Sequence, residues 1–302
     1  MSQPGGSTSS RDTSWHERLA GLVPPEIMSR RVLIAGCGSV GSFVASELVR
    51  SGVRKLILVD PDIVEWANIT RTVYGHADVG RPKVEALSSH LLQIFPDLEI
   101  ETKQCTLQDL GEDLRKLLSD TDIVVGAVDD PKGTGRLNRY TFASNKPSVF
   151  VGLYRGAKGG EVILSIPDRT PCFHCSTGGV RQASEELSSE PVARERDYGS
   201  NRLVAEVALG SDIHFVCAAA VKLVLSTLAL QHNPGPLADF VQKALDEGNN
   251  YAIFGMTSDY FLFPETHRGA VGQYAFQSLW LKTSSRPECT VCGDIENREL
   301  PV

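Results

Sequence analysis

The sequence lacks a surplus of positive charge. It contains 30 lysine and arginine residues against 37 aspartate and glutamate residues, which gives a formal net charge of -7 at pH 7. A protein that binds nucleic acid through a strong overall positive field has the opposite balance. We therefore expect no nucleic-acid partner, and an acidic protein partner would need a local basic patch.

The sequence also lacks the features of a secreted or membrane protein. Seven cysteines in 302 residues do not make a disulfide framework, and the first residues show no charged-then-apolar signal pattern. The longest apolar stretch, 213–230, contains Lys222, and a lysine inside a membrane span costs roughly 2.5–3.5 kcal/mol. We expect a core or dimer-interface helix there, a cytoplasmic protein and no membrane contact.

Apolar runs alternate with amphipathic stretches through the first half of the chain. This βαβ rhythm predicts an α/β fold of the Rossmann-like type, a mostly parallel sheet with helices on both faces. The predicted strands are 32–36, 55–60, 98–103, 122–128 and 147–153, and the predicted helices are 41–51, 80–94, 109–118 and 134–145.

The rest of the chain follows a different pattern. Residues 1–14 are polar enough to predict a disordered tail, which leaves 15–302 as a single domain. After a strand at 161–166, the polar stretch 177–210 is too long for an ordinary connector. The final apolar runs predict an antiparallel β extension, with strands at 251–254, 260–263 and 279–282.

A glycine-rich turn, Gly36-Cys-Gly38-Ser39-Val-Gly41, lies between an apolar run and an amphipathic stretch. Such a turn occupies a strand-to-helix junction where backbone N–H groups face an anion. Asp60 closes the next apolar run, near the ~20 residues expected of an acid that binds a nucleotide ribose. Alone, the turn is weak evidence, because hydride-transfer enzymes, methyltransferases and many other nucleotide binders use it. A tight strand-to-helix junction without a ligand is a further alternative.

Two cations that follow Asp60 narrow the choice of nucleotide. Arg71 and Lys83 are suited to gripping a triphosphate, although each taken singly is ordinarily a solvated surface charge. A nicotinamide-dependent dehydrogenase is the competing interpretation. That class needs a flat apolar slot and has no evident use for these cations.

The order and spacing of Asp60-Pro-Asp62, Asn68, Arg71 and Lys83 are specific. From about residue 18 to the C-terminus, the chain resembles the ThiF/MoeB/HesA family of ubiquitin-activating (E1-like) adenylyltransferases. The resemblance implies that Ser39 and Asp60 contact adenosine and that the later residues hold phosphates. The implied ATP site comprises Gly36, Gly38, Ser39, Gly41, Asp60, Asp62, Asn68, Arg71 and Lys83.

The resemblance also implies catalytic residues. Asp129 matches the family's magnesium-linked aspartate, although an aspartate after a strand is also a common helix N-cap. The family usually has an arginine where this chain has Thr134, and Arg136 or Arg139 would have to replace it. Arg18 lies where the family's N-terminal segment supplies an arginine to the partner subunit; the other interpretation is an exposed helix arginine. The implied catalytic set is Arg18, Arg71, Lys83 and Asp129.

Four cysteines form two CxxC pairs, Cys172 with Cys175 and Cys289 with Cys292. This spacing lets two thiolates grip one face of a tetrahedral zinc ion, and two pairs complete a closed, structural site. The alternative is two unrelated pairs of reduced or redox-active thiols. A shared zinc ion would tie the C-terminal segment, about 249–302, to the rest of the domain, with His174 as a bystander.

Residues 176–216 contain no cysteine, although many E1-like enzymes carry an acyl-accepting cysteine near their crossover loop, here 177–210. The remaining thiols, Cys37, Cys105 and Cys217, are better interpreted as packing residues.

The sequence therefore predicts an E1-like enzyme that uses ATP and Mg2+ to adenylate the C-terminal carboxylate of a ubiquitin-like or sulfur-carrier protein with a Gly-Gly type tail. We expect a homodimer with onward transfer to a partner, such as a separate conjugating enzyme. The alternative is a catalytically silent scaffold that docks another protein.

Overall fold

The computed structural model of the chain describes residues 17–178, 208–230, 235–257 and 275–301. The predicted tail at 1–14 and the predicted strand at 260–263 lie outside these residues. So does most of the predicted crossover loop, of which only 177–178 and 208–210 are described.

An eight-stranded sheet organises the fold, in the order β3-β2-β1-β4-β5-β6-β7-β8. Strands β1 to β5 pair in parallel, and β6, β7 and β8 extend the sheet in antiparallel fashion. The Rossmann-like parallel sheet and the C-terminal antiparallel extension are both confirmed. The strands are β1 Arg31–Ala35, β2 Lys55–Val59, β3 Glu99–Lys103, β4 Ile123–Gly126, β5 Ser148–Leu153, β6 Gly159–Ser165, β7 Asn249–Gly255 and β8 Gln277–Lys282.

Helices cover both faces of the sheet, and each face has its own apolar core. Along β1, Val32 and Ile34 enter one core while Leu33 and Ala35 enter the other, because successive strand residues point to opposite faces. Helices α1, α2, α5 and α6 pack on the first face, and α3 and α4 on the second. The helices are α1 Ser39–Arg50, α2 Lys83–Ile94, α3 Asp113–Ser119, α4 Pro131–Ala143, α5 Gly210–Leu230 and α6 Pro236–Asp246.

Helix α5 is the longest helix in the described part of the chain. By length and composition it passes as a membrane-crossing helix, but 61% of its most apolar window is buried inside the fold. It packs against α1, α6 and β5. The prediction of a core helix is confirmed.

Several predicted helix boundaries were wrong. Helix α2 begins at Lys83 instead of residue 80, because Pro82 forms a bridge with Ile63. Helix α3 begins at Asp113 instead of 109, and α4 begins at Pro131 instead of 134. Helix α6, which starts with Pro236, was not predicted.

Candidate functional site

The glycine turn is forced by close backbone contacts at the carboxyl end of β1. Gly36 has φ +92, a left-handed conformation that favours glycine. A Cβ atom at Gly41, in the first turn of α1, would lie 1.8 Å from the Gly36 carbonyl oxygen, so any other residue at position 41 would displace the glycine turn. Gly38 is the N-cap of α1 and makes no side-chain cap hydrogen bond. The first N–H groups of α1 therefore suit an anion.

Asp60 braces this turn from the end of β2. Its Oδ2 accepts a hydrogen bond from the Cys37 N–H at 2.6 Å, and its Oδ1 accepts one from the Asp62 N–H at 2.9 Å. The side chain is buried, and burial raises the pKa of its carboxyl group, although the Lys83 ammonium and these two hydrogen bonds oppose the rise. The predicted ribose-binding acid thus also fixes the shape of the glycine turn.

Lys83 begins α2 and points back to the same edge of the sheet. Its Nζ lies 2.8 Å from Asp62 Oδ2, and its side chain is 12% exposed. Its backbone N–H donates to the Asp62 carbonyl at 2.9 Å, which fixes the two segments together. Burial lowers the pKa of Lys83, but the carboxylates of Asp60, Asp62 and Asp129 outweigh burial and raise it. Lys83 therefore stays charged at neutral pH.

Asn68 and Arg71 lie on the segment between β2 and α2, at the end of a short 3-10 helix, Trp66–Asn68. The Asn68 Oδ1 accepts a hydrogen bond from the Glu65 N–H at 2.9 Å, so its amide nitrogen is the group suited to a phosphate oxygen. The Arg71 N–H donates to the Asn68 carbonyl at 3.1 Å. A Cβ atom added at Gly210 would lie 3.6 Å from the Arg71 Cα. The start of α5 therefore packs against the phosphate-binding candidates.

Tyr74 is a component of the site that the sequence did not reveal. Its hydroxyl donates to the Cys37 carbonyl at 2.6 Å and lies 3.2 Å from the Lys83 carbonyl. The ring is buried, and burial raises the pKa of the hydroxyl, which therefore remains a donor. Tyr74 joins the glycine turn to the start of α2. No sequence signal distinguishes it from an ordinary core tyrosine.

Asp129 follows β4 and is exposed at the carboxyl edge of the sheet. It is near enough to Lys83 to raise the pKa of that ammonium. The suggestion that Asp129 caps the next helix was wrong: Asp130 is the N-cap of α4 and accepts hydrogen bonds from the N–H groups of Lys132 and Gly133. The neighbouring residue therefore supplies the cap, and the Asp129 carboxylate acts on the Lys83 ammonium at the exposed edge of the sheet.

The carboxylates around Lys83 fit a magnesium ion bound together with a triphosphate. Three of them, Asp60, Asp62 and Asp129, act on one ammonium group, which leaves a surplus of negative charge. Mg2+ is usually held by one or two carboxylates plus substrate phosphates. The exposed Asp129 is the donor that fits this role best.

The predicted arginines lie in three different places. Arg18 is exposed in a turn and lines a shallow cleft with Arg50 and His90, and Arg50 ends the helix that Ser39 begins. Arg136 donates to the Gly111 carbonyl at 3.2 Å, away from the glycine turn. Arg139 is exposed. Among the described residues of a single chain, Arg18, Arg136 and Arg139 make no contact with the glycine turn.

The four predicted zinc ligands come together. The Sγ atoms of Cys172, Cys175, Cys289 and Cys292 lie within 4.8 Å of one another, and all four residues are buried. Cys172 Sγ and Cys289 Sγ are 3.8 Å apart, and tetrahedral Zn–S bonds of about 2.3 Å imply an S–S separation of about 3.8 Å. A hydrogen bond from the Cys172 thiol lowers the pKa of Cys292, so the cluster favours a thiolate. These residues fit zinc.

The remaining thiols are poor nucleophiles. Burial and the Asp60 carboxylate raise the pKa of Cys37, and burial raises the pKa of Cys217 to about 12. Cys105 is half-buried, and burial with Asp109 raises its pKa. His174 is outside the candidate metal cluster of the described residues. It lies against α4, 3.4 Å from where a Cβ of Gly135 would be.

The sequence pattern of the ThiF family matches residues 25–254, about three quarters of the chain. The chain belongs to the ThiF family. This confirms the resemblance drawn from the Asp60-to-Lys83 segment, and the strands that carry the glycine turn and Asp129 lie inside the matched region.

Relatives within the ThiF family are named for adenylation and modifier activation. The chain is 33% identical over 146 residues to molybdopterin-synthase adenylyltransferase of Escherichia coli, covering 48% of this chain and 57% of the relative. It is 32% identical over 158 residues to ubiquitin-like modifier-activating enzyme 5 of Caenorhabditis elegans, covering 49% of this chain and 38% of the relative. The chain therefore spans less than two thirds of the length of these relatives.

Solved structures confirm the fold. The crystal structure of Escherichia coli MccB with ATP superposes with a TM-score of 0.62 at 21% identity, covering 89% of this chain and 68% of that chain. MccB with MccA-N7isoASN gives a TM-score of 0.65 at 22% identity over the same shares. At this identity the likeness is one of fold.

Proposed function

We propose that this chain adenylates the C-terminal carboxylate of a partner protein, with ATP and Mg2+. The partner is a ubiquitin-like or sulfur-carrier protein with a Gly-Gly type tail. Lys83 is the observation that carries the proposal: its ammonium is mostly buried, lies 2.8 Å from Asp62 and faces the carboxylates around the glycine turn. A cation fixed in this way is preorganised for the charge of a triphosphate.

In the proposed reaction, one oxygen of the partner's carboxylate attacks the α-phosphorus of ATP. A bond forms between these two atoms, and the bond from the α-phosphorus to the oxygen that bridges to the β-phosphorus breaks. Pyrophosphate leaves with that electron pair, and the product is a mixed anhydride of the tail and AMP. No side-chain base is needed, because a carboxylate is ionised at neutral pH.

The protein acts on this reaction through charge and position. Lys83 and Arg71 neutralise the charge that develops on the phosphate oxygens, and the N–H groups at the start of α1 bind a phosphate. Asp60 hydrogen-bonds the ribose, and Asn68 donates to a phosphate oxygen. Asp129 would hold magnesium, and the ion would supply further positive charge against the phosphates.

The activated tail then passes to another protein. Among the described residues, Cys37, Cys105 and Cys217 have raised pKa values, which disfavours thioester formation on any of them. We place the acceptor on a partner, such as a separate conjugating enzyme. We also propose a cytoplasmic homodimer in which Arg18 of each subunit serves the other subunit's site, without a membrane or nucleic-acid partner.

The test is ATP–pyrophosphate exchange with a panel of short synthetic peptides and small proteins that end in Gly-Gly. Each is compared with the same molecule carrying a C-terminal amide, which cannot attack phosphorus as a carboxylate. We expect exchange with free carboxylates only. We expect Asp129→Ala to reduce exchange by about 100-fold or more, and Asp97→Ala, at an exposed turn residue, to leave it unchanged.

The proposal is wrong if no member of the panel supports exchange, or if Asp129→Ala exchanges as fast as the wild type. Titration calorimetry with ATP then distinguishes the alternatives. A protein that binds ATP without exchange would be a nucleotide-binding scaffold, and one that binds NAD and excludes ATP would be a dehydrogenase.

A further inference from the structure

A buried carboxylate lies on the sheet near the candidate ATP site and has no part in the reaction above. Glu161, in β6, is 7% exposed. Its Oε2 accepts hydrogen bonds from the hydroxyls of Tyr154 and Tyr251, whose oxygens are 3.3 Å apart. Burying a carboxylate is costly, and charge-assisted hydrogen bonds offset that cost. We call Tyr154, Glu161 and Tyr251 the tyrosine–glutamate cluster.

The sheet is shaped around this cluster. Gly152 of β5 is paired with Glu161 of β6. A Cβ atom at Gly152 would lie 3.0 Å from both Cγ and Oε1 of Glu161, closer than ordinary van der Waals contact. Glycine at 152 therefore makes room for the carboxylate.

The cluster lies at the same edge of the sheet as Asp129. Gly126, the last residue of β4, pairs with Phe150 of β5, and Gly152, which pairs with Glu161, is two residues further along β5. Glu161 is therefore at the carboxyl end of the parallel strands. Asp129 follows β4 and Tyr154 follows β5 at this end, and β4 and β5 are neighbours in the sheet.

Tyr154 is also the base of a tight turn between β5 and β6. Its carbonyl accepts a hydrogen bond from the Ala157 N–H at 2.9 Å, and its N–H donates to the Gly159 carbonyl at 2.9 Å. Ala157 has φ +49, which is uncommon for a residue with a side chain. By holding the Tyr154 hydroxyl, Glu161 fixes the start of this turn.

The order of the strands determines where a partner's tail has room to approach. Asp60, the ribose candidate, follows β2, on one side of β1 and β4, whereas the tyrosine–glutamate cluster lies on the other side. We propose that the partner's tail approaches from the β5–β6 side, opposite the ribose candidate, and that Glu161 is a positioning residue that orients Tyr154 and Tyr251, so that the β5–β6 turn aligns the tail. This inference rests on the proposed function.

The experiment measures exchange kinetics for Glu161→Gln and Tyr154→Phe. The probe is the Gly-Gly-ended peptide acid of the panel above that gives the fastest wild-type exchange. We expect the KM for this peptide to rise about tenfold, while the KM for ATP stays within about twofold. Tyr154→Phe removes only the hydroxyl oxygen, so we expect this variant to fold. It therefore still tests the inference if Glu161→Gln does not fold.

Tyr140→Phe is the matched control. Tyr140 is a buried tyrosine of α4 whose hydroxyl accepts a hydrogen bond from Arg136 at 3.0 Å, and its loss should leave both KM values unchanged. The inference is overturned if both cluster variants keep the wild-type peptide KM, or if the two KM values rise together with a lower Tm. Absence of wild-type exchange would instead overturn the proposed function and this inference with it.

Discussion

The two ends of the parallel strands have different chemistry and are assembled in different ways. At the carboxyl end, the glycine turn, Asp60 and Lys83 come from one short segment of the chain. At the amino end, where Ser165 of β6 pairs with Ser148 of β5, Cys172 meets Cys289 from 117 residues further along the sequence. The carboxyl end takes most of its charged residues from the single segment 36–83, with Asp129 added from the end of β4, whereas the amino end joins two cysteine pairs that are far apart in the sequence.

This difference suggests that the carboxyl end of the strands serves catalysis and that the cysteine end serves stability. The charged end is held by backbone contacts, such as the hydrogen bond from the Cys37 N–H to Asp60, so we expect its shape to survive the loss of one ionic side chain. The cysteine end joins the segment after β8 to the segment after β6. Losing a thiol there releases a long stretch of chain.

Cys289→Ser should have the largest effect of the changes considered. Structural zinc contributes about 10–16 kcal/mol in zinc-finger peptides, so we expect the loss of one ligand to cost at least about 3 kcal/mol and to lower Tm by about 5 °C or more. Calorimetry measures the change, and metal analysis should find one zinc per wild-type chain. Cys105→Ser, at a half-buried thiol outside the cluster, should change neither value. Equal stability of the two variants would contradict a shared metal site.

Lys83→Met should affect the charged end through catalysis and leave folding largely intact. Removing a preorganised cation from a charged transition state costs about 100- to 1,000-fold in rate, so we expect exchange to fall by that factor with Tm little changed. Lys116→Met, at an exposed lysine of α3, is the control. A large fall in Tm for Lys83→Met would mean that both ends serve stability, and the comparison would fail.

Asp60→Asn should change the pH dependence of stability. Burial raises the pKa of Asp60 in the folded state, so the folded protein holds this proton to higher pH than the unfolded chain does. Its contribution to the free energy of unfolding therefore falls as pH rises from about 3.9 through the raised pKa, by at most about 1.4 kcal/mol per pH unit. Urea unfolding at several pH values should show that slope in the wild type and lose it in the variant. Asp97→Asn should keep it.

Asp130→Ala has the smallest expected effect. Comparing it with Asp129→Ala distinguishes the roles of these two adjacent carboxylates. It removes the side-chain cap of α4, which typically costs about 1 kcal/mol of stability. Urea unfolding should show this loss for Asp130→Ala and a smaller one for Asp129→Ala, whereas exchange should show the reverse order. If Asp129→Ala destabilises the fold more, the assignment of the cap is wrong.

The features that could be predicted from the sequence are those that a local pattern of residues marks. Apart from 260–263, which lies outside the described residues, the predicted strands fell within a few residues of their observed bounds, mostly because apolar runs mark them. The CxxC spacing identified the four cysteines without showing how they meet. Tyr74 could not be found, since only the fold brings its hydroxyl to the Cys37 and Lys83 carbonyls. The cap was assigned to Asp129 because adjacent aspartates look alike in sequence. The nucleotide contacts and the role of Arg18 stay predictions.

The contact between Gly41 and Gly36 bears on how relatives of this chain should be compared. Because a side chain at Gly41 would collide with the backbone of the turn whether or not a nucleotide is present, selection for folding alone preserves that glycine. A descendant that had abandoned ATP would keep the turn and drift at Lys83 and Asp129. In an alignment, the residues at positions 83 and 129, and not the glycines, should therefore distinguish catalytically active relatives from inactive ones.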